Sequence, residues 1–182
     1  TYKHEGPLDL RLNPKRGQSA AEFIRTQDGD QLEYLFRKNS DEPRAKRIAA
    51  GIFNNKDTIH TTTDLSELIA QTLDNKPVAD CTKATVTSIR RVFQALRIAV
   101  NDEFTVLEQF LQNLPFCLKP KGCVAILSFH SGEDRLVKGY FKEGLREGYY
   151  STIADEIIRP SAAEQYANPR SSSAILRWAI KK

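Results

Sequence analysis

The longest periodic signal in the chain runs through Ile89, Val92, Phe93, Leu96, Val100, Phe104, Leu107, Leu111 and Leu114. Apolar residues at three- and four-residue steps line one face of a helix for burial, and Pro115 is expected to end it. Shorter helical patterns precede it. Ser19-Ala20-Ala21-Glu22 has the spacing of a capping box, in which a hydroxyl and a carboxylate satisfy first-turn amides reciprocally. Ser40 precedes a helix through Ala45, Ile48, Ala49 and Ile52, with Pro43 tolerated near its start, and Thr63 precedes one with Leu65, Leu68 and Ile69. Residues 15–83 read as a small all-helical domain inserted into a larger fold.

Beyond Pro115 the period changes. Gly122 opens the short apolar run Val124-Ala125-Ile126-Leu127, which suits a strand buried on both faces of a mostly parallel sheet. The run stops at Ser128-Phe129-His130-Ser131-Gly132-Glu133-Asp134-Arg135, and helical spacing resumes through Leu136, Val137, Tyr140 and Phe141. Two further strand candidates, residues 151–158 and 172–180, flank a short helix opened by Ser161-Ala162-Ala163-Glu164. This alternation predicts an α/β fold. In such sheets ligands gather at the carboxyl ends of the strands, where this chain places an aromatic ring, an imidazole and a hydroxyl. An ordinary strand-to-helix turn, with Glu133 and Asp134 favouring the positive helix end, accounts for the same residues without any ligand.

Composition narrows the classes. A chain of 182 residues with a net charge of +4 fits one domain, or one domain with an insertion, and suits a polyanionic partner without requiring one. Cys81, Cys117 and Cys123 are odd in number and form no Cys-x-x-Cys pair, which argues against a disulfide framework or a zinc knuckle and for a reducing compartment. No apolar run approaches the roughly 20 residues of a membrane helix. There is no methionine, so Thr1 is not an intact translation start and a fragment or processed product is expected. His130, Ser131 and Asp134 do not make a hydrolase triad: residues this close in one turn do not line up as nucleophile, base and orienter, and no Gly-x-Ser-x-Gly elbow is present.

Four segments share a wider resemblance. They are Gly6-Pro7-Leu8-Asp9-Leu10-Arg11-Leu12-Asn13, Phe93-Gln94-Ala95-Leu96-Arg97-Ile98-Ala99-Val100-Asn101-Asp102-Glu103, the Ser128–Arg135 run continued by Leu136-Val137-Lys138, and Asn168-Pro169-Arg170 with Ser173-Ala174-Ile175-Leu176-Arg177. In this order they resemble the bacterial cytosine N4-methyltransferases that modify small-subunit ribosomal RNA with S-adenosylmethionine. The resemblance implies the C-terminal part of a class I, Rossmann-like methyltransferase. Residues 1–14 and 84–182 would belong to its core, residues 15–83 would be the inserted target-recognition domain, and the last strand would insert antiparallel beside its neighbours. It further implies that the cofactor contacts lie upstream of Gly6, so no residue of this chain is assigned to S-adenosylmethionine or to a metal. The isolated chain is expected to be inactive, in the cytoplasm or, in a eukaryote, an organelle matrix, with small-subunit RNA or the small ribosomal subunit as partner and a homodimer as a further assembly.

Site candidates follow from both readings. Asp9 and His130 are expected to line the catalytic cleft, and Phe129 to stack on a flipped base. Arg11, Arg97, Asn101, Asn168 and Arg170 are expected to contact RNA. Arg97 and Asn101 share a polar stripe with Arg90 and Gln94, and Asn168-Pro169-Arg170 makes a rigid turn. Arg44 and Lys46, within a basic population that includes Lys15, Arg16, Arg47 and Lys56, are expected on phosphates. Gly132 stands where the family mostly has leucine. The competing function is a non-catalytic RNA-binding or ribosome-assembly module derived from that family.

Overall fold

The structure, a computed structural model, describes residues 4–182. Packing divides it into two compact units, the first ending at Glu103 and the second comprising Phe104–Lys182.

The first unit is helical: α1 (Ala20–Thr26), α2 (Gly29–Ser40), α3 (Ala45–Asn55), α4 (Thr62–Asp74) and α5 (Lys83–Asn101). Local caps set most of the starts. Ser19 and Glu22 form the expected capping box, and Asp28 with Gln31 forms another that starts α2, a helix the apolar pattern did not announce. Two expected starts move. Ser40 closes α2, its hydroxyl donating to the Phe36 carbonyl, and α3 begins at Ala45 without a side-chain cap. The cap of α4 is Thr61, boxed with Asp64, rather than Thr63. Leu32, Phe36, Ile48, Ile52, Leu65 and Ile89 are fully buried at the centre, joined by Leu8 of the opening loop. That loop is stitched down by backbone bonds, Leu8 N–H to the His60 carbonyl and Ala20 and Ala21 N–H to the Asp9 and Leu8 carbonyls. The opening loop and α5, which the sequence places on the core side of the insertion, thus pack with the inserted helices.

The single long helix expected from Ile89 to Leu114 is two helices. Asp102 adopts a left-handed conformation (φ 51°, ψ 38°), its N–H closing α5 on the Ile98 and Ala99 carbonyls, and α6 (Glu103–Cys117) follows. Aspartate tolerates this conformation because its short polar side chain bonds locally. The apolar stripe continues across the break because each half faces a different core. Ile89, Val92, Phe93 and Leu96 belong to the first, and Leu111 and Leu114 to the second. Pro115 lies inside the last turn of α6 rather than after it.

The second unit adds β1 (Cys123–Ser128), α7 (Ser131–Arg146), β2 (Tyr150–Ile153), α8 (Ala162–Ala167), a short 3-10 turn (Pro169–Ser173) and β3 (Ile175–Lys181). The sheet order is β1-β3-β2, with the last strand antiparallel to both neighbours, as the resemblance implies. The expectation of a mostly parallel sheet with β1 buried on both faces does not hold among the described residues: all pairing is antiparallel and β1 alternates. Val124 and Ile126 pack against Leu111, Leu114, Val137 and Phe141, whereas Cys123, Ala125 and Leu127 are exposed. One face is covered by α6 and α7, and period-two side chains leave the other face open. The strand expected over residues 151–158 is shorter, with one isolated bridge from Ile158 to Leu176, and that expected from residue 172 begins only at Ile175 because residues 169–173 form the 3-10 turn. Among the described residues no helix is long and apolar enough to cross a membrane, and all three cysteines are free.

Candidate functional site

In the first unit the opening loop is a rigid, charged bend. Asp9 and Arg11 form a two-pronged ion pair, Arg11 Nε to Asp9 Oδ1 at 2.6 Å and Nη2 to Oδ2 at 2.9 Å, while Arg11 Nη1 donates to the Gly17 carbonyl at 3.0 Å. Leu10 between them has φ 63°. What holds a leucine in that strained region is Asn101 at the end of α5. Its Oδ1 accepts from Leu12 N–H at 2.7 Å, and its Nδ2 donates to the carbonyls of Leu10 and Arg97, each at 2.8 Å. Arg97 itself grips Glu103 through two bonds of 2.8 and 3.0 Å. The bend that carries Asp9 and Arg11 is therefore tied to Asn101, far away in sequence, whereas the Arg97 side chain is turned to Glu103. The Arg11 side chain hydrogen bond, outweighing desolvation, holds the Asp9 carboxyl below the usual range, and the same bond raises Arg11.

Arg44 is engaged elsewhere. Its guanidinium donates to the Ala84 carbonyl at 2.7 Å, Ser88 Oγ at 2.8 Å and Thr85 Oγ1 at 3.2 Å, joining α3 to α5. It lies 3.9 Å from Glu42, a carboxylate that is 1% exposed and also accepts from Ser88 Oγ at 2.7 Å. Arg44 thus balances a buried charge that the sequence reading passed over. Lys46 and Arg47, one and two residues into the exposed side of α3, remain on the surface.

In the second unit the turn after β1 folds upon itself. His130 is the N-cap of α7: its Nδ1 accepts from Glu133 N–H at 3.3 Å, so the neutral ring carries its proton on Nε2, which lies 3.3 Å from Glu133 Oε1 without hydrogen-bond alignment. Glu133 Oε2 accepts from Phe129 N–H at 2.9 Å. Burial raises the Glu133 carboxyl, but the His130 ring and the Phe129 amide outweigh it and hold the group below its ordinary value. The Phe104 ring packs 6.0 Å from His130, and a Cβ on Gly132 would lie 2.6 Å from its Cζ, so glycine at this position admits the ring. Just beyond, Asp134 holds Arg177 of β3 with bonds of 2.7 and 3.0 Å, both side chains nearly buried. The sequence shows Asp134 and Arg177 separately, and only the pairing of Ile126 with Arg177 across the sheet brings them together.

Phe129 does not share the inward turn of His130. Its ring is 51% exposed and stands at a cavity of about 450 Å³ whose walls also include Leu127, Ile158, Arg159, Asn168, Arg170 and Ser171. Three sequence candidates, Phe129, Asn168 and Arg170, thus meet at one site. Asn168 also fixes the local backbone, its Oδ1 accepting from Arg170 N–H at 3.3 Å. Ser171 is the first of three serines that follow Asn168-Pro169-Arg170, whose hydroxyls suit base-edge contacts, whereas Arg159 was missed because it sits in no apolar period and carries no motif on its own.

At the turn from β1 to α7 the groups that could hold a cofactor are already engaged. The amides of Phe129 and Glu133 are taken by Glu133 and His130, and the first helical turn carries two carboxylates. The carboxylate of S-adenosylmethionine calls for free amides, and its ammonium and ribose hydroxyls for free carboxylates. With these amides taken, Glu133 bound to Phe129 N–H and both Asp134 oxygens bound to Arg177, the residues of this turn do not fit the cofactor.

A profile described as the MraW methylase family matches residues 1–182. Among curated relatives, the ribosomal RNA small subunit methyltransferase H 1 of Lachnoclostridium phytofermentans is 48% identical over 184 residues, covering all of this chain and 50% of that protein. The methyltransferase H 2 of Alkaliphilus metalliredigens is 49% identical, with 53% of its length covered, and methyltransferase H of Crocosphaera subtropica is 40% identical, with 55% covered. The chain spans about half the length of these relatives.

Proposed function

Because the chain belongs to the MraW methylase family, we propose that it works within an enzyme transferring a methyl group from S-adenosylmethionine to the N4 amine of a cytidine in small-subunit ribosomal RNA. The match over the whole chain carries this reading. The last strand lying antiparallel between β1 and β2 supports its finer part, a Rossmann-like methyltransferase core, with residues 15–83 as the target-recognition insertion. We assign the cofactor contacts to the part of such an enzyme that this chain does not span.

What this chain contributes is position. A carboxylate held low by Arg11 is a weak base near neutral pH, so Asp9 accepts a hydrogen bond from an amine and orients it rather than removing its proton. Asn101 fixes the loop that presents it, and His130 with Glu133 fixes the turn that presents Phe129. Holding an exocyclic amine in line with a methyl donor, with water excluded, lowers the entropic part of the barrier.

The test is methylation of small-subunit RNA by the full-length protein, followed by digestion to nucleosides and mass analysis. N4-methylcytidine is expected, and a methyl group on another atom or base overturns the assignment. His130→Ala, which removes the cap acceptor fixing the turn that presents Phe129, should lower both methylation and stability, and His130→Asn, which keeps a cap acceptor, should recover part of both. Asp9→Ala should depress methylation far more than stability. Leu96→Ala, at a fully buried position, should do the reverse.

A further inference from the structure

We propose that the cavity beside Phe129 is a subsite for one nucleotide of the RNA strand, taking a base that carries an exocyclic amine together with its phosphate. The proposal rests on the reading that the substrate is RNA, and adds where a strand is held and by which groups. Leu127, Phe129 and Ile158 are large apolar side chains left 51%, 51% and 49% exposed, and all three converge on this cavity. Scattered exposed apolar residues are ordinary, whereas several around one concavity mark a binding surface. A volume of about 450 Å³ lies within the range of roughly 300–1,000 Å³ typical of small-ligand sites.

The polar groups match a nucleotide. Ser171 is 6% exposed, and its Oγ, fully enclosed, has no hydrogen-bond partner among the described residues. A buried hydroxyl without a partner is costly, and a base edge would supply one. Arg159 and Arg170 stand exposed at the rim with no ion-pair partner among the described residues, placing two guanidinium groups where a phosphate would sit. Glu164, also on the rim, accepts from an amine and repels a carbonyl, which favours cytosine or adenine over uracil. Phe129 supplies a flat face for stacking, a contact that tolerates any base. His130 is not among the walls, its ring being committed to the cap of α7, so this is a place for the strand to rest rather than the reaction position.

The probes are cytidine 5′-monophosphate, cytidine, uridine 5′-monophosphate and inorganic phosphate, titrated into the 182-residue chain and followed by calorimetry. Saturable binding of the cytidine nucleotide is expected, tighter than each of the other three. Arg159→Glu with Arg170→Glu, both exposed and unable to empty a core, should weaken the nucleotide by about tenfold or more while leaving cytidine unchanged. Ser171→Ala should weaken both and raise the thermal midpoint, since it removes an unpartnered buried group; a lower midpoint would mean the hydroxyl is structural. Phosphate binding as tightly as the nucleotide, a variant pair that leaves nucleotide affinity unchanged, or no saturable binding to a chain with a cooperative melt would each overturn the subsite. Methylation by the full-length protein is scored separately, so loss of the subsite and loss of the proposed reaction are distinct results.

Discussion

Replacing Arg44 with alanine should unfold the first unit more readily instead of merely weakening RNA binding. The guanidinium joins α3 to α5 through three hydrogen bonds of 2.7 to 3.2 Å and stands beside Glu42, whose side chain is fully buried. Stripping one partner from a buried ion pair costs about 3–5 kcal/mol. Three features lower that figure: Arg44 is about one-third exposed, the charge separation is 3.9 Å, and Arg91 remains 3.7 Å from the other Glu42 oxygen. A loss of about 2–3 kcal/mol is therefore expected, which for a unit of this size moves the thermal midpoint by roughly 10–20 °C. Lys46→Ala, on the exposed side of α3, should change stability by no more than about 0.5 kcal/mol. Urea denaturation of both variants and of Arg44→Ala in a Glu42→Gln background measures the coupling. With the buried charge gone, the Arg44 substitution should cost about 1 kcal/mol less. If Arg44→Ala melts like the wild type while small-subunit RNA binding falls and its salt dependence flattens, the guanidinium is on a phosphate and the packing role assigned to it is wrong.

Three further outcomes follow from the same geometry. Asp134→Ala should cost the second unit about 3 kcal/mol by leaving Arg177 without its carboxylate, and an unchanged denaturation midpoint would show the pair to be dispensable. Asn101→Ala should speed hydrogen exchange at the Leu12 amide by far more than it lowers the global melt, because it releases a loop and empties no core; equal effects on both would contradict that. Glu133 has a folded pKa below its ordinary 4.5, so the unfolded chain binds more protons in between. Its stabilising contribution is complete above that value and is lost as pH falls through the folded pKa. Wild type should therefore lose more stability than Glu133→Gln between about pH 7 and about pH 3, and parallel losses would refute the role of the carboxylate.

Sequence alone determined what short-range chemistry controls. The capping box at Ser19, the apolar strand at Val124–Leu127 and the helix after His130 were legible because a cap, a turn glycine or a side-chain period acts within a few residues. The four family segments also pointed to Phe129, Asn168 and Arg170 before their meeting was visible. Tertiary structure decided the rest. The stripe from Ile89 to Leu114 has one period but serves two cores, and nothing local distinguishes a continuous helix from two helices broken at a left-handed Asp102. Arg44 looked like a free cation because Glu42 and the α5 groups that engage it are buried only once the helices pack. Likewise Asp134 and Arg177 pair only when the last strand docks between β1 and β2, since contacts spanning forty residues are fixed by packing and leave no periodic trace in the chain.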